Sequence, residues 1–142
     1  MERTIESSFT FDAGHRIVGI EPIEEQAIHG HTFNFKVIIK SKLLNKNGII
    51  FDRNELLKII QPFIKELDHS CLLFDKYPLV NDLKELAKKY KFEHKIISLD
   101  VNPTIEGLID YLFRRIKKLL PIENKIEIRL KTSESLESSY LE

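Results

Sequence analysis

Apolar and polar residues alternate at two places early in the chain. In residues 4–13, TIESSFTFDA, the apolar side chains are Ile5, Phe9 and Phe11, and the pattern predicts a strand reaching about His15. Residues 31–43, HTFNFKVIIKSKL, alternate more clearly, with Phe33, Phe35 and Val37 on one face of a second strand. Between them, residues 17–28 form a loop with Gly19 and Pro22 that exceeds the usual connection length, and long loops in compact domains tend to carry function.

After the turn signal NKNG (45–48), a short strand is expected at 49–51, and then the period becomes helical. Leu56, Leu57, Ile60, Phe63, Ile64 and Leu67 recur at helical spacing behind Asp52, a good N-cap, while Pro62 should kink or break that helix. Residues 79–92 predict a second helix capped by Asn81 or Asp82, and 95–101 a short strand. Residues 102–120 predict a strongly amphipathic helix, capped by Thr104, stopped by Pro121, with Lys117 and Lys118 at its negative end. Residues 125–133, KIEIRLKTS, alternate as a final strand. Strands and helices do not alternate strictly, so the expected class is α+β, an antiparallel sheet with helices packed on one face. Its uncovered edges invite pairing with another subunit.

Composition narrows the function classes. A chain of 142 residues suits one domain, 1–142, and 42% hydrophobic with 31% charged residues reads as globular. Twenty-two basic residues balance twenty-two acidic ones, which gives no global attraction to nucleic acid or membrane. No run approaches the ~20 apolar residues of a membrane helix, and the first residues lack the apolar core of a signal peptide. The single cysteine, Cys71, cannot form an intrachain disulfide, and a reducing cytoplasmic location is the simplest expectation.

The chemistry concentrates at HGH. On a strand, His29 and His31 project from one face with Cα atoms roughly 6.5–7 Å apart, within reach of one ion, and Gly30 between them permits close backbone approach. His15 becomes their neighbour if the first two strands pair antiparallel around the long loop. Three neutral imidazoles with no fourth protein ligand describe an open, catalytic zinc site, although copper, nickel or iron would also bind such donors.

FTFDAGHRI followed by HGHTFNFKV resembles the 6-pyruvoyltetrahydropterin synthase family, which includes the 6-carboxytetrahydropterin synthases. NGIIFDRNELLKII, ELDHSCL, NPTIEGLIDYLF and IRLKTSES match further family motifs in order, and residues 76–98 read as an insertion relative to the shortest members. The resemblance implies a T-fold whose subunits join into a β-barrel as trimers or hexamers, with active sites between subunits. It implies zinc on His15, His29 and His31, a dihydropterin substrate, and Asp68 and His69 as a proton-relay pair. It further implies substrate contacts at Thr104 and Thr132. The family's pterin-anchoring glutamate has no gapless counterpart, and Glu134 is its expected replacement.

One departure bears on the reaction. Most members carry a cysteine base four residues before HGH, where this chain has Glu25, with Glu24 beside it. Cys71 lies on another segment and reads as a buried small apolar residue. The chain is thus similar to the subset with glutamate in place of cysteine, which resembles enzymes that cleave the side chain of dihydroneopterin triphosphate, or dihydroneopterin, to 6-hydroxymethyl-7,8-dihydropterin. The alternatives are a 6-carboxy- or 6-pyruvoyltetrahydropterin synthase using Asp68 and His69, and a pterin-binding relative without activity.

Overall fold

Among the described residues six strands form one sheet. The computed structural model describes residues 1–120, 124–132 and 137–141. β1 (Arg3–His15) and β2 (His29–Ser41) form a long antiparallel pair, β5 (Lys125–Thr132) adds antiparallel to β2, and β6 (Glu137–Leu141) to β5. On the other side β3 (Ser70–Phe74) runs parallel to the end of β1, and β4 (Ile96–Leu99) parallel to β3. The sheet is therefore mixed, with an antiparallel body and two short parallel strands.

The alternation of β1, β2 and β5 turns Phe9, Phe11, Phe33, Phe35, Val37, Ile126, Ile128 and Leu130 into the main core. Helices α1 (Arg53–Leu67) and α3 (Ile105–Leu119) cover that face with Leu56, Ile60, Phe63, Leu108, Leu112 and Ile116. In β3, Leu72 joins this core while Leu73 packs with Val80 and Ala87 of α2 (Leu79–Lys89) and with Ile96. Successive strand residues face opposite ways, so α2 lies on the other face from α1 and α3. No helix among the described residues is long and apolar enough to cross a membrane.

Several local expectations change. Residues 49–51 form no strand: the Asn45 side chain accepts the Asn47 and Ile49 N–H groups at 2.9 and 3.0 Å, which commits that backbone to a turn. α1 runs unbroken through Pro62, which sits on its exposed side, so the carbonyl deprived of a partner can face water. Asp52 caps α1 by accepting from Asn54 and Glu55. α2 begins at Leu79 behind Pro78, not at an Asn81 or Asp82 cap, because Pro78 with φ −59° already starts the turn. β3 has no counterpart among the predicted elements. Pro121 lies outside the described residues.

Candidate active site

The β1–β2 pairing sets His15 directly opposite His29, and Ala13 opposite His31. All three imidazoles then share the face that carries Phe33, with ring centroids 4.6, 4.9 and 4.9 Å apart. One nitrogen from each ring lies within 4.8 Å of the others. His15 is only 4% exposed.

Two carbonyls set the ring orientations. His15 Nδ1–H donates to the Pro103 carbonyl at 2.8 Å, and His29 Nδ1–H donates to the Ala27 carbonyl at 2.8 Å. Their Nε2 atoms, left as acceptors, face each other at 3.1 Å. Two lone pairs at that distance repel unless they share a cation, and fixing Nδ1–H on a carbonyl is how proteins orient metal-binding histidines. The donor set therefore fits a divalent transition metal.

Pro103 is placed by the start of α3. The Thr104 hydroxyl accepts the Gly107 N–H at 3.0 Å as N-cap, and the Thr104 N–H donates to the Asn102 carbonyl at 2.8 Å. A Cβ on Gly107 would lie 2.1 Å from that Asn102 carbonyl oxygen, so only glycine admits this approach. Thr104, expected to touch substrate, has its hydroxyl engaged in the cap and does not line the histidine cavity.

That cavity, about 320 Å³, is lined by the three histidines with Ile17, Glu24, Glu25, Phe33, Ile105 and Thr132. Glu24 and Glu25 sit on a short 3-10 turn (Ile23–Gln26) within the long loop, and both reach the cavity. Thr132, 5% exposed, also lines the cavity. Glu134, the expected pterin anchor, lies outside the described residues. Cys71 sits on β3 away from the cavity, and burial pushes its thiol pKa up, which disfavours the thiolate.

Asp68 and His69 are not brought into this cavity. They follow α1, with His69 Nδ1 and Asp68 Oδ2 at 2.9 Å. The Asp12 N–H donates to Asp68 Oδ1 at 2.9 Å, and this bond chiefly holds the Asp68 carboxyl below its ordinary pKa, with the contact to His69 adding to it. His69 stands at φ 62°, its N–H donating to the Asp12 carbonyl at 2.7 Å, and its side chain is 79% exposed. The ring opens onto a second, shallower hollow of about 610 Å³ with Asp12, Gly30, Thr32 and Ser70, which shares His31 with the first. Lys95 supports the pair from the 76–98 segment: its ammonium donates to the Lys65 and Asp68 carbonyls at 2.6 and 2.7 Å, capping the end of α1. Nothing in the sequence around Lys95 announces that role, because its partners are main-chain atoms of a distant helix.

Comparison with known proteins adds a family. The model of the 6-pyruvoyl tetrahydropterin synthase family matches residues 4–140. The chain is 28% identical over 134 residues to a 6-carboxy-5,6,7,8-tetrahydropterin synthase of Aquifex aeolicus, covering 84% of this chain and 82% of that one. It is 32% identical over 118 residues to a dihydroneopterin monophosphate aldolase of Pyrococcus furiosus, covering 83% and 78%. The fold is similar to that of a Plasmodium vivax 6-pyruvoyltetrahydropterin synthase, with a TM-score of 0.76 at 13% identity, covering 100% of this chain and 98% of that one.

Proposed function

The chain belongs to the 6-pyruvoyl tetrahydropterin synthase family, and from that premise we propose that it is a zinc-dependent lyase acting on the side chain of a dihydropterin, cleaving dihydroneopterin or a phosphate ester of it to 6-hydroxymethyl-7,8-dihydropterin. The observation that carries this reading is the pair of carboxylates, Glu24 and Glu25, on the wall of the three-imidazole cavity, while the cysteine thiol lies elsewhere on β3. The resemblance to an aldolase of Pyrococcus furiosus supports the same class of bond cleavage.

His15, His29 and His31 would hold the ion, which as a Lewis acid lowers the pKa of hydroxyl groups near it. Glu25, or Glu24 beside it, accepts the proton of the 2′-hydroxyl as general base. The C1′–C2′ bond breaks, C2′ becomes an aldehyde carbonyl, and the electron pair passes from C1′ into the conjugated C6=N5 imine. Reprotonation at C1′ gives the 6-hydroxymethyl product, and the two-carbon aldehyde leaves. Thr132 contacts the pterin ring from the cavity wall, with Glu134 as its anchor.

Asp68 and His69 favour a second reading, in which the product is 6-carboxy- or 6-pyruvoyltetrahydropterin. The two are hydrogen-bonded, and His69 lines the neighbouring hollow. In a trimer or hexamer joined through the sheet edges, such a pair could serve a cavity completed by an adjacent subunit. Incubating the zinc-loaded protein with dihydroneopterin, its monophosphate and its triphosphate, then identifying products by mass, separates the readings. 6-Hydroxymethyl-7,8-dihydropterin is expected. A carboxy or pyruvoyl product overturns the cleavage, and no turnover of any substrate leaves a pterin-binding protein.

A further inference from the structure

Asn102 touches both loops that border the histidine cavity. Its Oδ1 accepts the Val18 N–H at 3.1 Å, and its Nδ2 donates to the Val18 carbonyl at 2.9 Å. One amide thus pairs with both main-chain groups of a residue that is 7% exposed and lies just beyond His15. The ties continue along the loop. Gln26 Nε2 donates to the Ile20 carbonyl at 2.9 Å, and the Gly19 N–H reaches Gln26 Oε1 at 3.4 Å. Gln26 closes the turn that carries Glu24 and Glu25, and the Glu25 N–H donates to the Pro22 carbonyl at 3.0 Å. On its other side Asn102 precedes Pro103, whose carbonyl orients His15.

We propose that Asn102 is a positioning residue: its side-chain amide clamps Val18 and so holds the Glu24–Glu25 turn in register with the histidine cluster. This rests on the reading of that turn as the proton acceptor. The amide is not needed for its own loop, since the Thr104 cap and the Thr104 N–H to Asn102 carbonyl bond hold Pro103 without it. Removing the amide therefore frees the acidic turn and leaves the His15 orientation in place. An asparagine suits both Val18 groups because it offers an acceptor and a donor at once. An aspartate would meet the Val18 carbonyl with a second acceptor, and an alanine would leave both groups without this partner.

The test compares wild type with Asn102→Ala in zinc-loaded full-length protein, using dihydroneopterin turnover, zinc affinity and amide hydrogen exchange. Misplacement of a reacting group by about 1 Å lowers kcat by up to about 100-fold. We expect that loss together with unchanged zinc affinity, and faster exchange across residues 18–27 but not 29–41. In a Glu24→Gln/Glu25→Gln background the same substitution should add no further loss, as for coupled sites. Wild-type exchange across 18–27, wild-type kcat, loss of zinc, or an equal loss of kcat in the double-variant background would each overturn the proposal. Full activity of Glu24→Gln/Glu25→Gln would instead overturn the catalytic reading, and with it the kinetic half of this one. If Asn102→Ala does not fold, Asn102→Asp, whose second oxygen opposes the Val18 carbonyl, carries the same measurements with the same expected outcomes.

Discussion

Replacing Gly107 by alanine sets two effects of opposite sign against each other. Gly107 lies in the first turns of α3, and in a helix alanine is favoured over glycine by roughly 0.5–1 kcal/mol. Propensity alone therefore predicts a more stable protein. The packing predicts the reverse. The new Cβ would stand 2.1 Å from the Asn102 carbonyl oxygen, 3.2 Å from its carbon and 3.3 Å from Thr104 Oγ1. Carbon and oxygen not bonded to each other need more than 3 Å, so this peptide must retreat by about 1 Å. It is main chain, held by the Thr104 N–H at 2.8 Å, and cannot swing aside as a side chain would. Overpacking of this kind costs about 1–3 kcal/mol, which exceeds the propensity gain. The same retreat draws the Pro103 carbonyl from His15 Nδ1, and loss of such a partner typically weakens metal binding by about 10–100-fold. Urea unfolding reads the first effect and chelator competition for zinc the second. A Gly107→Ala protein more stable than wild type, with equal zinc affinity, would refute both the contact and its link to His15.

Other expectations follow from the same contacts. Zinc should be largely lost from His29→Ala, and metal analysis showing the wild-type content would remove the histidine cluster from consideration. Glu25→Gln should cost about 10²–10⁴-fold in kcat, the usual loss for a general base, with pterin and zinc binding retained; if Glu24→Gln is the inactive variant instead, the base is Glu24, and wild-type rates for both and for their double variant would return attention to Asp68 and His69. Lys95→Met removes the donor to the Lys65 and Asp68 carbonyls, and urea unfolding should show a loss of about 1.5–3 kcal/mol, the range for hydrogen bonds to a charged group; an unchanged midpoint would deny the cap. The folded-state pKa of Asp68 lies below its ordinary value of 3.8, so its contribution to stability is complete above that pH and is lost as pH falls through the lower folded value. Acid unfolding should therefore flatten in Asp68→Asn below about pH 4, and an identical acid limb in both proteins would contradict it.

Short-range pattern carried much of this architecture. The two-residue period of β1, β2 and β5 and the helical period of α1 and α3 are statements about which side of one segment is apolar, and they can be read without any partner. Thr104 and Asp52 were legible as caps for the same reason, since capping involves only neighbours in sequence. The histidine cluster was half local: His29 and His31 share a face by strand geometry, and His15 joins them once the pairing register is supplied.

Tertiary contacts decided the rest. β3, SCLLF, shows no alternation because its two faces enter different apolar clusters, so it carries no period to recognise. Its parallel pairing with β1, together with the left-handed backbone at His69, turns His69 onto the neighbouring hollow, away from the cavity that carries Glu24 and Glu25. α2 took the opposite face from α1 and α3, again through the two-sided burial of β3 and β4. Asn102 and Lys95 show their parts only once segments far apart in the chain meet, because each acts on main-chain atoms of another segment, and Gly107 shows its part only in the folded cap of its own helix. A main-chain carbonyl is present at every residue and leaves no trace in composition or spacing. The sequence by itself therefore determined most of the strands and helices and the shared face of His29 and His31, while the long-range pairing of those segments decided β3, the place of His15 and which groups stand together at the cavity.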